Sequence, residues 1–154
     1  MSVTSTLRLL LMLSTFTITS SCVGEHAGLL VQMCLRDDRD VDALIDLVMQ
    51  SASRNGMEFF DRSAASQREL ATLGKDPGYR LVIVSASRSD GLGVAAMNLG
   101  LSANEMAIAF TPGANAEGSA AFIQSVMNQL QARWNVRTVP AGRGAMKSAD
   151  CVGR

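Results

Sequence analysis

The sequence contains few of the residues that build catalytic or nucleic-acid-binding sites. Its 154 residues include one histidine, one tryptophan, one tyrosine and five phenylalanines. Lysine plus arginine number 14 and aspartate plus glutamate also number 14, so the chain has no net charge. Binding to nucleic acid requires a basic surface, and stacking on bases requires aromatic side chains. The composition therefore argues against a nucleic-acid partner.

The amino terminus has the pattern of an export signal. Arg8 precedes the uncharged segment LLLMLSTFTIT, residues 9–19. A basic start, a short apolar stretch and small residues after it are typical of a secretory signal peptide, and the stretch is shorter than the about 20 apolar residues of a membrane-spanning helix. The alternative is a buried first helix, but the apolar residues show no 3.6-residue period. We predict a signal peptide over residues 1–21, a tether over 22–28 and one domain over 29–154.

The residues before Cys22 resemble the lipobox of bacterial lipoproteins, in which small residues precede a cysteine that begins the mature chain. Ser20 and Ser21 are small, while Thr19 and Ser21 stand where lipoboxes usually have Leu and then Ala or Gly. The resemblance implies a lipid on Cys22, which would be the chain's contact with the membrane. Because Val23 and not an acid follows, it also implies the outer membrane of the cell envelope, facing the periplasm. Ordinary cleavage nearby is the alternative.

The three cysteines are an odd number for an exported protein. If Cys22 carries a lipid, Cys34 and Cys151 remain to form a disulfide between the beginning and the end of the domain. An oxidising compartment favours that bridge, and two unrelated buried thiols are the alternative. His26 lies in the tether, and one histidine with two bridged cysteines does not supply a zinc site. We therefore expect no metal and no cofactor.

Hydrophobic periodicity predicts an α/β (α+β) domain with the order β-α-β-(short α)-β-β-β-α-β. The predicted long helices cover residues 37–56 and 115–134, and a short helix with a Ser66–Glu69 capping box covers 66–74. The predicted strands cover residues 29–36, 57–63, 79–88, 92–100, 105–110 and 135–140. Because two amphipathic helices need one apolar surface, we expect a two-layer sandwich. Both long helices would pack on one face of a mixed or antiparallel sheet, loosely ferredoxin-like with an extra hairpin.

Two short motifs formally match ligand-binding patterns. GLGVAA, residues 91–96, matches the dinucleotide-binding pattern G-x-G-x-x-A, but no helix pattern follows it, so it predicts a glycine-rich hairpin. DDRDVD, residues 37–42, resembles the start of a calcium-binding loop. Ala43 and Met49 occupy the positions where that loop requires Gly and Glu. The acids therefore predict the first turn of a helix, where the helix dipole favours negative charge.

The carboxylates do not form an evident catalytic pair. Glu58 and Asp61 lie on or beside one predicted strand, and Asp90 and Glu105 lie near turns. No spacing selects two of them for acid–base chemistry. We therefore predict that the domain is not an enzyme and binds a protein partner.

In its size, its predicted signal peptide and its lack of a set of catalytic residues, the chain resembles the immunity lipoproteins that protect bacteria from secreted antibacterial effectors. The resemblance implies that the partner is such an effector. We expect loops and the predicted hairpin to supply the contacts, through Asp90, Gly91, Gly93, Asn98, Asn104 and Glu105. The alternatives are a small envelope enzyme that uses carboxylates and an accessory subunit of an envelope complex.

Overall fold

The computed structural model describes residues 28–151, which form six strands and three helices. The strands are β1 (Leu29–Cys34), β2 (Glu58–Asp61), β3 (Ile83–Ser87), β4 (Gly93–Met97), β5 (Glu105–Thr111) and β6 (Val136–Thr138). The helices are α1 (Asp38–Arg54), α2 (Ser63–Thr72) and α3 (Ala116–Gln131). A short 3-10 turn, Ala149–Cys151, ends the described chain.

The six strands form one antiparallel sheet in the order β2-β3-β4-β5-β1-β6. The order is that of a ferredoxin-like sheet with the β3–β4 hairpin inserted between β2 and β5. The predicted order of elements and the predicted extra hairpin are therefore confirmed. GLGVAA forms the turn and the strand of this hairpin, and no helix begins there.

The core lies between one face of the sheet and the helices α1 and α3. Side chains that lie next to one another in register contribute to it from four strands: Val31, Ile108, Ala96 and Val84. The two helices contribute their apolar faces to the same cluster: Val41, Leu44, Leu47, Val48, Ala52, Phe122, Val126, Met127 and Leu130. Both long helices therefore cover the same face of the sheet, as the two-layer sandwich predicts.

The ends of α1 and α2 are determined by nearby carboxylates and glycines. The Asp37 side chain accepts the N–H groups of Arg39 and Asp40, and so caps α1. Gly56 follows α1 with a φ of 62°, a left-handed conformation that favours glycine. α2 begins at Ser63 and not at residue 66, and the Asp61 carboxylate accepts the Ser63 N–H at 2.8 Å. The predicted capping box is therefore not the start of α2.

β3 is shorter than the predicted strand over residues 79–88. The N–H of Leu81 donates to the side chain of Gln67 at 2.7 Å, and the N–H of Val82 donates to that of Asn98 at 2.8 Å. These buried residues therefore satisfy their N–H groups through side chains, and the regular strand begins at Ile83.

A disulfide joins Cys34, at the end of β1, to Cys151, across 117 positions in sequence and a Cα–Cα distance of 5.4 Å. The predicted pairing is therefore confirmed. In the chain-entropy model, closing a loop of this length stabilises the folded state by about 4–5 kcal/mol, less any strain.

Replacing both bridging cysteines, in the double variant Cys34→Ser, Cys151→Ser, should lower the free energy of unfolding by up to about 4 kcal/mol. Urea denaturation of the full chain under non-reducing conditions measures the change. The far-UV circular dichroism spectrum should persist, because the apolar faces of α1 and α3 pack independently of the bridge. Equal stability of variant and wild type would contradict a stabilising disulfide.

Candidate protein-binding face

One face of the sheet carries α1 and α3, and the opposite face is called the open face. Five of its side chains lie in one row across β2, β3, β4, β5 and β1: Phe60, Ser85, Ala95, Ala109 and Leu30. The three central side chains are small, and the two outer ones are large. The row therefore forms a shallow trough that is three strands wide.

The central strands give the open face an unusual composition. Its positions in β3, β4 and β5 are Ile83, Ser85, Ser87, Gly93, Ala95, Met97, Glu105, Ala107, Ala109 and Thr111. Glu105 is the charged residue in this set, and it is 1% exposed. The solvent side of an antiparallel sheet is usually polar, yet Phe60 and Met97 are 42% and 37% exposed on this one. Exposed apolar patches are typical of interaction sites.

The C-terminal segment, residues 140–151, covers the end of the open face at β1 and β5. The side chain of Gln32 donates to the carbonyl of Met146 at 2.8 Å and accepts the Met146 N–H at 3.3 Å. The N–H of Ser148 donates to Glu105 at 2.9 Å. With the disulfide, these bonds keep Gln32 and Glu105 out of solvent, whereas Ser85, Ala95 and Ala109 in the trough stay partly exposed.

Glu105 is the buried acid beneath the C-terminal segment. Its Oε1 accepts from Gln32 and from Arg137, each at 3.2 Å, and its Oε2 accepts from the Ser148 N–H. A carboxylate out of water is costly unless such partners surround it. Both oxygens are therefore occupied within the domain, and the side chain holds the C-terminal segment in place.

Asn98 and Asn104 connect the ends of strands. Asn98 is 0% exposed, and its side chain accepts the Val82 N–H and donates to the carbonyls of Arg80 at 2.9 Å and Ala103 at 3.4 Å. The carbonyl of Asn104 accepts the N–H of Leu35 at 2.6 Å. The Asn98 side chain and the Asn104 backbone therefore have structural partners inside the domain.

Asp90 and Gly91 form the β3–β4 turn at the other end of the sheet. The Arg88 guanidinium donates to both Asp90 oxygens at 2.9 and 2.7 Å and, with the N–H of Leu92, lowers the pKa of Asp90 to about 2. Gly91 has a φ of 92°, which favours glycine at this turn. Gly93 lies on the open face beside Thr111.

The six residues predicted to contact a partner do not form one surface. They divide between the two ends of the sheet, with Asp90, Gly91 and Gly93 at one end and Asn98, Asn104 and Glu105 at the other. The trough itself was not among them. A sequence signal for it existed, because small residues recur at every second position in VSAS, GVAA and AIA, which belong to β3, β4 and β5.

The carboxylates considered for catalysis do not meet in pairs. In the register of β2, Glu58 lies on the open face beside Ser87, and Asp61 points to the opposite face beside Val84. Asp90 and Glu105 lie at opposite ends of the sheet. Within residues 28–151, no group of three His, Cys, Asp or Glu side chains could hold a metal ion.

Cys22, His26 and the predicted signal peptide lie outside the described residues. Among residues 28–151, no helix combines the length and the apolar character needed to cross a membrane. No protein-family model matches this chain, and a search of curated proteins found no match.

The substitution Asn98→Ala should lower the free energy of unfolding by about 2–3 kcal/mol, because it leaves the buried Val82 N–H without an acceptor. The matched control is Asn104→Ala, which keeps the carbonyl that Leu35 uses and should change stability by less than about 0.5 kcal/mol. Urea denaturation of both variants distinguishes these effects. Two equally small losses would show that the buried amide does not stabilise the fold.

Proposed function

We propose that this chain is an envelope lipoprotein whose domain binds a protein partner through the open face, without catalysis. The observation that carries the proposal is the partly exposed trough at Ser85, Ala95 and Ala109, beside the exposed apolar side chains of Phe60 and Met97. A lipid on Cys22 would hold the domain at the outer membrane, facing the periplasm. The lipobox resemblance supports that location.

The shape of the trough favours a helix or a row of bulky side chains as its occupant. From Phe60 to Leu30 the row crosses four strand spacings, roughly 19 Å. An α-helix with its side chains is about 10–12 Å wide. Because the central side chains are small, such a helix could approach the backbone of β3, β4 and β5 closely.

The charge of Glu58 beside the trough suggests a second property of the partner. Glu58 is exposed on the open face at the β2 edge, and it makes no ion pair within residues 28–151. A basic residue beside the apolar surface of the partner would complement it. The chain as a whole is neutral, so affinity should arise from shape and buried contacts, with weak dependence on salt.

A secreted antibacterial effector is the partner that we propose. An immunity protein acts by binding, and the open face provides a surface for it. The size of the chain and its predicted export signal support the same function. The test of this function is therefore whether the protein protects cells against an effector whose gene lies next to its own gene.

Lipidation of Cys22 is tested by metabolic labelling. Radiolabelled palmitate should enter the wild-type protein and not the variant Cys22→Ser, because the thiol is the attachment point. Cys34→Ser is the matched control and should label like the wild type. Equal labelling of wild type and Cys22→Ser, or none in either, would refute the lipid anchor.

The substitution Ala95→Arg should weaken effector binding by at least about 30-fold, because a long charged side chain fills the centre of the trough. Ala121→Arg places the same side chain at an exposed position of α3, in the opposite layer, and should bind like the wild type. Isothermal titration with the purified effector measures both affinities, and circular dichroism confirms folding. In cells, Ala95→Arg should lose protection against the effector, and Ala121→Arg should retain it.

Two results would overturn the proposed function. If Ala95→Arg and Ala121→Arg bound the effector equally, the open face would not be the binding surface. If substitution of one carboxylate abolished protection while binding persisted, the protein would be an enzyme.

A further inference from the structure

A separate cavity of about 240 Å³ lies where β1 and β5 end, beside the Cys34–Cys151 bridge. Three arginines line it: Arg36, which follows β1, and Arg133 and Arg137, which lie four positions apart between the end of α3 and β6. Glu105 and Trp134 also line the cavity. Three guanidinium groups and one carboxylate leave an excess of positive charge in its lining.

The acids nearby, Asp40 and Glu105, are each paired with another arginine. Arg36 donates to both oxygens of Asp40, at 2.8 and 3.0 Å, and holds the pKa of that carboxyl well below its usual range. Glu105 accepts from Arg137 with one oxygen and from the Ser148 N–H with the other. Both carboxylates therefore form their ion pairs with arginines other than Arg133.

Arg133 is the arginine that remains. It makes no salt bridge within residues 28–151, and its guanidinium carbon lies 6.0 Å from the centre of the Trp134 ring. Arg137, which donates to Ser148 and Glu105, is held in place while half of its side chain stays exposed. The cavity therefore combines one unpaired guanidinium with others that are fixed by hydrogen bonds.

We propose that this cavity binds an oxyanion, a carboxylate or a phosphate group, through Arg133 with Arg36 and Arg137 at its sides. Guanidinium groups present paired N–H donors that match the oxygens of both anions. The cavity is smaller than the roughly 300–1,000 Å³ of pockets for whole drug-sized ligands, so one such group fits it. The anion belongs either to a small free molecule or to an acidic side chain of a protein.

The chain provides its own probe for this site. Trp134 is the single tryptophan of the sequence, and it lines the cavity. Its fluorescence and its indole N–H resonance therefore come from one residue, which lines the cavity and also packs in the core. The full chain is titrated with potassium phosphate, with potassium acetate and with a short blocked peptide that carries one glutamate. Potassium chloride at equal ionic strength and the matching glutamine peptide are the controls.

A saturable change in both Trp134 signals, absent from the controls, is the expected result. Saturation by phosphate or acetate identifies a free anion as sufficient, and saturation by the glutamate peptide alone identifies an acidic side chain. Arg133→Gln should weaken binding at least tenfold, whereas Arg68→Gln, on the exposed surface of α2, should leave it unchanged.

The proposal is overturned if no probe exceeds its control, or if Arg133→Gln binds like the wild type while circular dichroism shows both folded. These outcomes do not depend on effector binding, so the oxyanion site and the proposed function are tested separately.

Discussion

The antiparallel pairing of β1 with β5 determines which side chains of these two strands face the helices and which face the C-terminal segment. Its register places Val31 opposite Ile108 and Cys34 opposite Glu105. Because side chains alternate along a strand, Val31 and Ile108 point to the helices and are 0% exposed, while Cys34 and Glu105 point to the open face. A slip of one residue in β1 would turn Val31 out of the core and Cys34 away from Cys151. Burial of this one row therefore fixes the position of the bridge as well.

The same register gives the open face two unlike halves. Near the end of the ladder, Cys34, Gln32 and Glu105 offer a thiol, an amide and a carboxylate, and the C-terminal segment binds all three. Toward the other end, Ala109 is followed across the sheet by Ala95. Methyl groups form no hydrogen bonds and have little apolar surface to bury. Ala109 and Ala95 therefore provide no contact that would hold residues 140–151 against this part of the face. The division between a closed end and a partly exposed trough follows from which side chains the strands present.

Features that depend on neighbours in sequence were predictable, and features that depend on distant contacts were not. The helix predicted over residues 37–56 is observed as Asp38–Arg54, because its capping aspartate and its terminal glycine are local. Asn98 and Glu105 resembled surface polar residues beside a hairpin. They are buried because Val82 and Ser148, 16 and 43 positions away, bond to them. The arginine-lined cavity is likewise assembled from four separate segments, and no sequence motif joins them.

The edges of the sheet also explain why a partner would use its face. β2 is four residues long and carries an acid at each end, Glu58 and Asp61. β6 is three residues long and includes Arg137. Short, charged edge strands discourage the addition of another strand, so backbone pairing with a partner is disfavoured at both edges of the sheet.

A sheet face covered with large apolar residues would bind other apolar surfaces without selectivity. The open face limits its apolar surface by using alanine, serine and glycine, and its large exposed apolar side chains are Phe60 and Met97. The proposed partner would therefore need side chains bulky enough to fill the space beside Phe60 and Met97.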